Sequence, residues 1–265
     1  MILTADQIEA RFPGSITREL WTVVIPAAGR GSRLGFDRPK VLFPILGRSM
    51  ILRMLDLFHP FCGHCVVVAS PTGKAAIEAE AQPFLPRMGI QEEPLGMADA
   101  IRQAKGLVST PFTAVVWGDQ ITLRPRTLEL SLQCHERRAG AKLTLPTVIK
   151  EDPYIQFVRD DEGRLVGVLQ RREGEIQASQ GESDCGLFLF ETHTLFELLD
   201  REAETGQARG KRTGEFNLLP LLSLFEEGPA SVATVRIALP EETMGVNTPE
   251  EADQAARILL RREKP

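Results

Sequence analysis

No apolar run in this chain approaches the roughly 18 residues that a membrane-spanning helix needs. No membrane partner is expected. Aromatic residues are scarce, with 13 Phe, 2 Trp and 1 Tyr among 265 residues, too thin a supply for the base-stacking sheets that grip single strands. A basic excess is lacking too: 31 Lys and Arg face 36 Asp and Glu, for a net charge of −5. Nucleic acid, held through many phosphate contacts, is thereby excluded as the main partner. A local basic pocket for a small anion stays compatible with that balance. The 4 cysteines, Cys62, Cys65, Cys134 and Cys185, are too few for a disulfide framework. The opening MILTADQIEARFPGS has early acids and no apolar core of the secretory type. Both features imply a reduced, cytoplasmic protein. No repeat, low-complexity tract or linker interrupts the chain. The polar segment 204–213, with Arg209, Lys211 and Arg212, is the one that reads as flexible.

What is present is alternation. Residues 1–20 read as an N-terminal extension, a short helix and turn that either packs on the domain or contacts a second copy, so a homo-oligomer stays open. Residues 21–265 read as one domain. Apolar strands at 21–25, 66–69 and 112–117 alternate with helices at 50–58, 73–82, 97–107 and 129–138. That order predicts an α/β fold, a Rossmann-like mixed and mostly parallel sheet with helices on both faces. Residues 142–148, 155–158 and 165–169 predict a small antiparallel subregion, with Asp161-Glu162-Gly163 as a turn. A strand at 187–190, helices at 192–202 and 215–226, a strand at 231–238 and a helix at 249–262 complete the pattern.

The first long strand runs into Pro26-Ala27-Ala28-Gly29-Arg30-Gly31-Ser32-Arg33-Leu34-Gly35. Ligands of open α/β sheets bind beyond the carboxyl ends of the strands, where this loop falls. Small residues let successive backbone amides approach phosphate oxygens. The glycines at 29, 31 and 35 miss the dinucleotide spacing G-x-G-x-x-G, and no G-x-x-x-x-G-K-[ST] occurs. Arg33, Arg38 and Lys40 follow, and cations beside an amide cradle suit a polyphosphate.

Ile25–Leu34 followed by Pro39-Lys40-Val41-Leu42 resembles the signature of the sugar-1-phosphate nucleotidyltransferases. The resemblance continues through Gln91-Glu92-Glu93-Pro94-Leu95-Gly96-Met97-Ala98-Asp99-Ala100, Trp117-Gly118-Asp119, Gly214-Glu215-Phe216 and Gly245-Val246-Asn247, and so covers about residues 21–260. In layout the chain is most similar to the uridylyltransferase half of bifunctional N-acetylglucosamine-1-phosphate enzymes. The β-helix half of those enzymes is not expected, because one helix follows Asn247. The resemblance implies the nucleotide-diphospho-sugar transferase fold and Mg²⁺-dependent transfer of a nucleotidyl group, from UTP or dTTP, to a sugar 1-phosphate. It implies a triphosphate cradle at Ala27, Ala28, Gly29, Gly31 and Ser32, with catalytic Arg33, Lys40 and Asp119. Mg²⁺ would be held by Asp119 and Asn247, the base read by Gln91 and Gly96, and the sugar lined by Tyr154, Gln170, Asp184 and Glu215.

Each motif also has an ordinary structural use. Gly118-Asp119 suits an Asx turn, Asn247-Thr248-Pro249 suits a helix cap, and Gln91 suits a strand-end amide with internal partners. Ile155, Gln170 and Asp184 stand where those enzymes have glycine, glutamate and asparagine, which puts the sugar in question. A polyol phosphate, phosphocholine or molybdopterin is the alternative acceptor, and a catalytically silent nucleotide-sugar sensor is the non-enzymatic alternative. Cys62-Gly63-His64-Cys65 follows a helix and precedes a strand, the reverse of a redox dithiol at a helix start, and reads as a half-buried turn.

Overall fold

Every residue from Trp21 to Pro26 is buried, as in a strand covered on both faces. The computed structural model describes residues 1–206, 208–228 and 230–262. The last three positions of the expected 21–265 domain, and Gln207 of the segment expected to be flexible, lie outside the described residues.

In chain order the fold begins with β1 (Ile2–Leu3), α1 (Ala5–Arg11), β2 (Trp21–Pro26), a hairpin of β3 (Pro44–Ile45) and β4 (Arg48–Ser49), and α2 (Met50–Phe58). Next come β5 (His64–Ala69), α3 (Lys74–Ala81), β6 (Arg87–Ile90), α4 (Met97–Arg102) and β7 (Phe112–Val116). They lead into α5 (Pro125–Arg137), β8 (Leu143–Glu151), β9 (Ile155–Arg159), β10 (Leu165–Gln170), β11 (Gln180–Asp184) and β12 (Leu187–Glu191). α6 (Thr192–Thr205), β13 (Val232–Val235) and α7 (Pro249–Arg262) close the chain's fold.

A nine-stranded sheet has the order β1-β13-β8-β12-β7-β2-β5-β6, with β11 paired to β8. β12 runs antiparallel to β7 and β8, and β11 antiparallel to β8. The other pairings are parallel. This is the mixed, mostly parallel α/β sheet read from the sequence. Successive residues of β2 face opposite ways, as strand geometry requires. Val23 and Ile25 pack with Met50 and Leu55 of α2, Leu128 of α5 and Ala255 of α7. Val24 packs on the other face with Ile101 of α4 and Leu195 and Leu199 of α6. Burying a side chain of this size is worth about 1.5–3 kcal/mol. The parallel strands β2 and β7 end at one edge of the sheet, so the loops after them, 27–43 and 117–124, are brought together.

The first twenty residues pack on this domain. β1 pairs with β13, and Leu3 and Ile8 share a small core with Leu130, Cys134, Ala233 and Val235. Glu136 then fixes the entry to β2 by accepting from the Thr17 amide at 3.0 Å and Trp21 Nε1 at 2.9 Å.

The middle section departs from the expected three antiparallel strands. β8 joins the main sheet, and only β9 and β10 form a separate hairpin. The expected helix at 215–226 is a 3₁₀ segment over Leu219–Phe225. Its first residues cannot coil, because the Phe216 backbone bonds across to Leu95 O and Ala98 N. The end of the segment expected to be flexible is tied down: Glu173 accepts from the Arg212 amide at 2.7 Å and Thr213 Oγ1 at 3.0 Å.

Candidate nucleotide site

The loop after β2 is held at its ends and open in its middle. The Ala27 amide donates to Val68 O, and Lys40 N returns to Gly29 O, closing the loop over its own glycines. Ala27 and Gly31 are buried, while Gly29 and Ser32 are exposed. A Cβ on Gly31 would lie 3.2 Å from Phe36 O, whereas Gly29 faces open space. Among the described residues none accepts from the Ala28, Gly29 or Ser32 amides. The loop therefore presents free N–H groups flanked by the exposed Arg30, Arg33 and Arg38.

Residues far apart in sequence meet beside it. Lys40 Nζ donates to Asp119 Oδ2 and, at 2.7 Å, to Asn247 Oδ1. Arg33 donates to the same Asn247 oxygen at 3.0 Å. Asp119 comes close because Gly118 has no side chain: a Cβ there would lie 2.8 Å from Val41 Cγ1 and 3.0 Å from Pro26 O. Gly245 plays the same part opposite, its Cβ position lying 3.0 Å from Asp119 Oδ2.

The segments carrying Asp119 and Asn247 are zipped together. Val246 N donates to Asp119 O, Gln120 Nε2 to Glu242 O and Thr122 Oγ1 to Met244 O. The fully buried Glu242 carboxylate accepts from Arg124 N, Arg124 Nε, Thr127 Oγ1 and Leu239 N. The start of α7 is capped by others: Glu251 N donates to Thr248 Oγ1, and Glu251 Oε2 accepts from Asn247 N and Thr248 N. The Asn247 side chain is thus released from capping. Asp119 likewise makes its side-chain bond to Lys40, not to a turn.

This donor set fits a hard divalent cation. Two oxygen donors already converge on one positive group, the Lys40 ammonium, in the manner that a carboxylate and an amide oxygen share Mg²⁺. Asp119 and Asn247 are the residues that would hold it.

Gln91 and Gly96 also meet. Gln91 is 6% exposed, and its Nε2 donates to Gly96 O and to Asp99 Oδ2, each at 2.9 Å. Gly96 has φ +121°, and a Cβ would stand 2.4 Å from Phe216 O. Only glycine permits this approach.

Of the four residues expected around the sugar, Tyr154 directly precedes β9, Gln170 and Asp184 end β10 and β11, and Glu215 lies in the 208–217 loop. Tyr154 is 54% exposed, and Gln170 is buried. Asp184 is buried, with its Oδ2 accepting from Gly186 N at 2.8 Å, and burial pushes its carboxyl above the ordinary range. Gly186 O in turn accepts from Trp117 N, which sets Asp184 beside the Asp119 loop. Glu215 accepts from Arg172 at 2.9 Å. Among the described residues no hydrogen bond or ion pair joins these four to the Lys40 cluster. Ile155 is buried in the core with Phe157, Leu165 and Val168.

Asp99 and Glu242 escape a reading of the sequence. Asp99 looks like an ordinary first-turn helix acid, and Glu242 like one of two surface glutamates after a proline. No spacing marks either one. The expected Cys62–Cys65 turn is only half a turn, since His64 and Cys65 open β5. Burial holds the Cys62 thiol far above its usual range and pushes Cys65 up to about 12, against a reactive thiolate. Among the described residues no cluster of metal-binding side chains is found around it, and no helix is long and apolar enough to cross a membrane.

Residues 23–182 match the family model described as a MobA-like NTP transferase domain. The bifunctional protein GlmU of Thermus thermophilus is 35% identical over 248 residues, covering 90% of this chain and 52% of the relative. GlmU of Listeria monocytogenes serotype 4b is 29% identical over 247 residues, with the same coverage of 90% and 52%. The chain thus spans about half the length of the curated relatives it matches. Among solved structures, the CMP:2-keto-3-deoxy-manno-octonic acid synthetase complexed with CTP shares the fold, with a TM-score of 0.64, 17% identity, and coverage of 91% of this chain and 99% of that one. The chain belongs to the MobA-like NTP transferase domain family and is a nucleotidyltransferase.

Proposed function

We propose that this protein transfers a nucleotidyl group from UTP or dTTP to a sugar 1-phosphate, giving an NDP-sugar and pyrophosphate, in the cytoplasm and with Mg²⁺. The observation that carries the reading is the meeting of Arg33, Lys40, Asp119 and Asn247 beside a loop of unspent amides. The 35% identity to a GlmU protein over 90% of the chain supports a sugar phosphate as acceptor.

The chemistry needs no nucleophile from the protein. An acceptor phosphate oxygen attacks the α-phosphorus, and the bond to the bridging oxygen of pyrophosphate breaks in line. What the chain supplies is positioning, together with amide and cationic groups that offset charge on several phosphate oxygens. The amides of Ala28–Ser32 bind the triphosphate, Arg33 steadies the departing pyrophosphate, and Lys40 balances charge at the α-phosphate. Mg²⁺ held by Asp119 and Asn247 would neutralise phosphate charge when bound. Gln91 and Gly96 orient the base. Tyr154, Gln170, Asp184 and Glu215 face the acceptor.

The test is product identification. The protein is incubated with each of UTP, dTTP, CTP, ATP and GTP and a panel of sugar 1-phosphates and other phosphomonoesters, and products are read by mass. An NDP-sugar from UTP or dTTP is the expected result. Product only from a polyol phosphate, phosphocholine or molybdopterin would move the acceptor outside sugars. Tight nucleotide-sugar binding without turnover would make the protein a sensor.

A further inference from the structure

We propose that Asp99 is a specificity-determining positioning residue, one that fixes the Gln91 amide so that only its oxygen is offered to the base. The proposal rests on the nucleotide reading above and concerns which bases that site accepts.

A side-chain amide nitrogen has two N–H groups. In Gln91 both are used inside the protein, on Gly96 O and Asp99 Oδ2. Turning the amide over would set Oε1 against a carbonyl oxygen and a carboxylate, with no proton between acceptors. Asp99 itself is held in place: it is 8% exposed, and its Oδ1 accepts from Gln103 Nε2 at 3.2 Å. The backbone on the other side is fixed too, because Gly96 is pressed against Phe216 and Leu95 O accepts from Phe216 N at 2.7 Å. Gln91 Oε1, by contrast, takes no bond from any described residue and is not among the buried atoms lacking a partner. It is the one polar atom of the amide left for a ligand.

A free glutamine pairs with either hydrogen-bonding pattern; this one can only accept. Uracil and thymine bring an N–H at N3, and guanine brings one at N1. Cytosine N3 and adenine N1 bring a lone pair instead, which meets Oε1 as a second acceptor. Sites built around a hydrogen-bonding group reject partners that leave it unpaired. Asp99 therefore turns an ambidextrous side chain into a detector of a ring N–H.

The experiment is calorimetric titration of the whole chain, with Mg²⁺ and without acceptor, using UTP, CTP and N3-methyl-UTP. The wild type is expected to bind UTP about ten-fold or more tighter than CTP, with N3-methyl-UTP no better than CTP. In Asp99→Asn the new amide can donate to Gln91 Oε1, which removes one of the two repulsions against turning the glutamine over and leaves only the Gly96 carbonyl opposing it. CTP then gains affinity, UTP loses some, and the ratio falls to about three or less. Asp99 lines a cavity of about 120 Å³ with Leu95, Arg102, Arg209 and Phe216, so the substitution falls beside space rather than in a packed core. Equal binding of UTP and CTP, or of UTP and N3-methyl-UTP, by the wild type overturns the proposal without any variant. So does a folded Asp99→Asn protein that keeps the wild-type ratio. Nucleotides bound without discrimination leave the nucleotidyltransferase reading standing, whereas no nucleotide bound at all overturns both.

Discussion

The ammonium of Lys40 lies between Asp119 and Asn247, donating to a carboxylate oxygen of the first and, at 2.7 Å, to the amide oxygen of the second. The positive group meant for phosphate thus rests on the two oxygens proposed for the metal. On the proposed reading a divalent cation held by Asp119 and Asn247 would compete with Lys40 for that position.

Lys40→Met is therefore expected to act in two opposite directions. Removing a charge that stabilises the transition state should lower kcat about 10²–10³-fold. Removing the resident cation should strengthen Mn²⁺ binding in the absence of nucleotide, measured by electron paramagnetic resonance. Weaker Mn²⁺ binding in the variant would contradict the competition.

Gly245→Ala separates geometry from folding. Its Cβ would stand 3.0 Å from Asp119 Oδ2 and 3.2 Å from Cγ, closer than ordinary contact. A displacement of that carboxylate by a few tenths of an ångström should reduce turnover about ten-fold or more, since reacting groups tolerate little misplacement. A thermal melt should move little. Gly96→Ala meets backbone instead, at 2.4 Å from Phe216 O, with φ +121°. That variant should lose stability and nucleotide binding together.

Glu242 is a buried joint between the segments of Asp119 and Asn247. Its carboxylate collects four donors while fully buried. Glu242→Ala leaves the Arg124 guanidinium and two backbone amides without their partner, and should cost about 3–5 kcal/mol in urea unfolding. Arg124→Ala, whose side chain is 32% exposed, should cost less. Equal losses would mean that the ion pair, not the backbone clasp, carries the joint.

His135 sets a pH dependence of stability. Burial pushes its pKa from 6.5 down to about 3, so it folds neutral, with Nδ1 against Thr144 Oγ1 at 2.9 Å. The unfolded chain takes up a proton below pH 6.5 that the folded chain refuses. The folded state therefore loses stability as pH falls from about 6.5 toward 3. In His135→Leu that part of the slope should vanish, as followed by denaturant unfolding at pH 7 and pH 5. An unchanged slope would place the titration elsewhere.

The sheet was legible because β2, β5 and β7 are short apolar runs followed by helices with clear apolar stripes. β11 was not, because Gln180-Gly-Glu-Ser-Asp owes its strand to pairing with β8 rather than to its own propensity. The 215–226 stretch looks helical until Phe216 is seen bonded to the base segment. Around the site, Arg33, Lys40, Asp119 and Asn247 stood out by motif. What a motif could not tell was that Thr248 and Glu251 cap α7 and release Asn247. Asp99 and Glu242 were hidden for the same reason: an acid becomes a positioning group only through partners that the fold brings from elsewhere.

Asp119, with its neighbours, makes the proposed nucleotidyl transfer site. Pyrophosphate release from UTP and sugar 1-phosphates, with and without Mg²⁺, tests it most directly when the Asp119→Ala protein runs alongside. Release that needs both Mg²⁺ and acceptor and falls about 10³-fold or more in the variant is the predicted result. Release that persists in Asp119→Ala at the wild-type rate would contradict it.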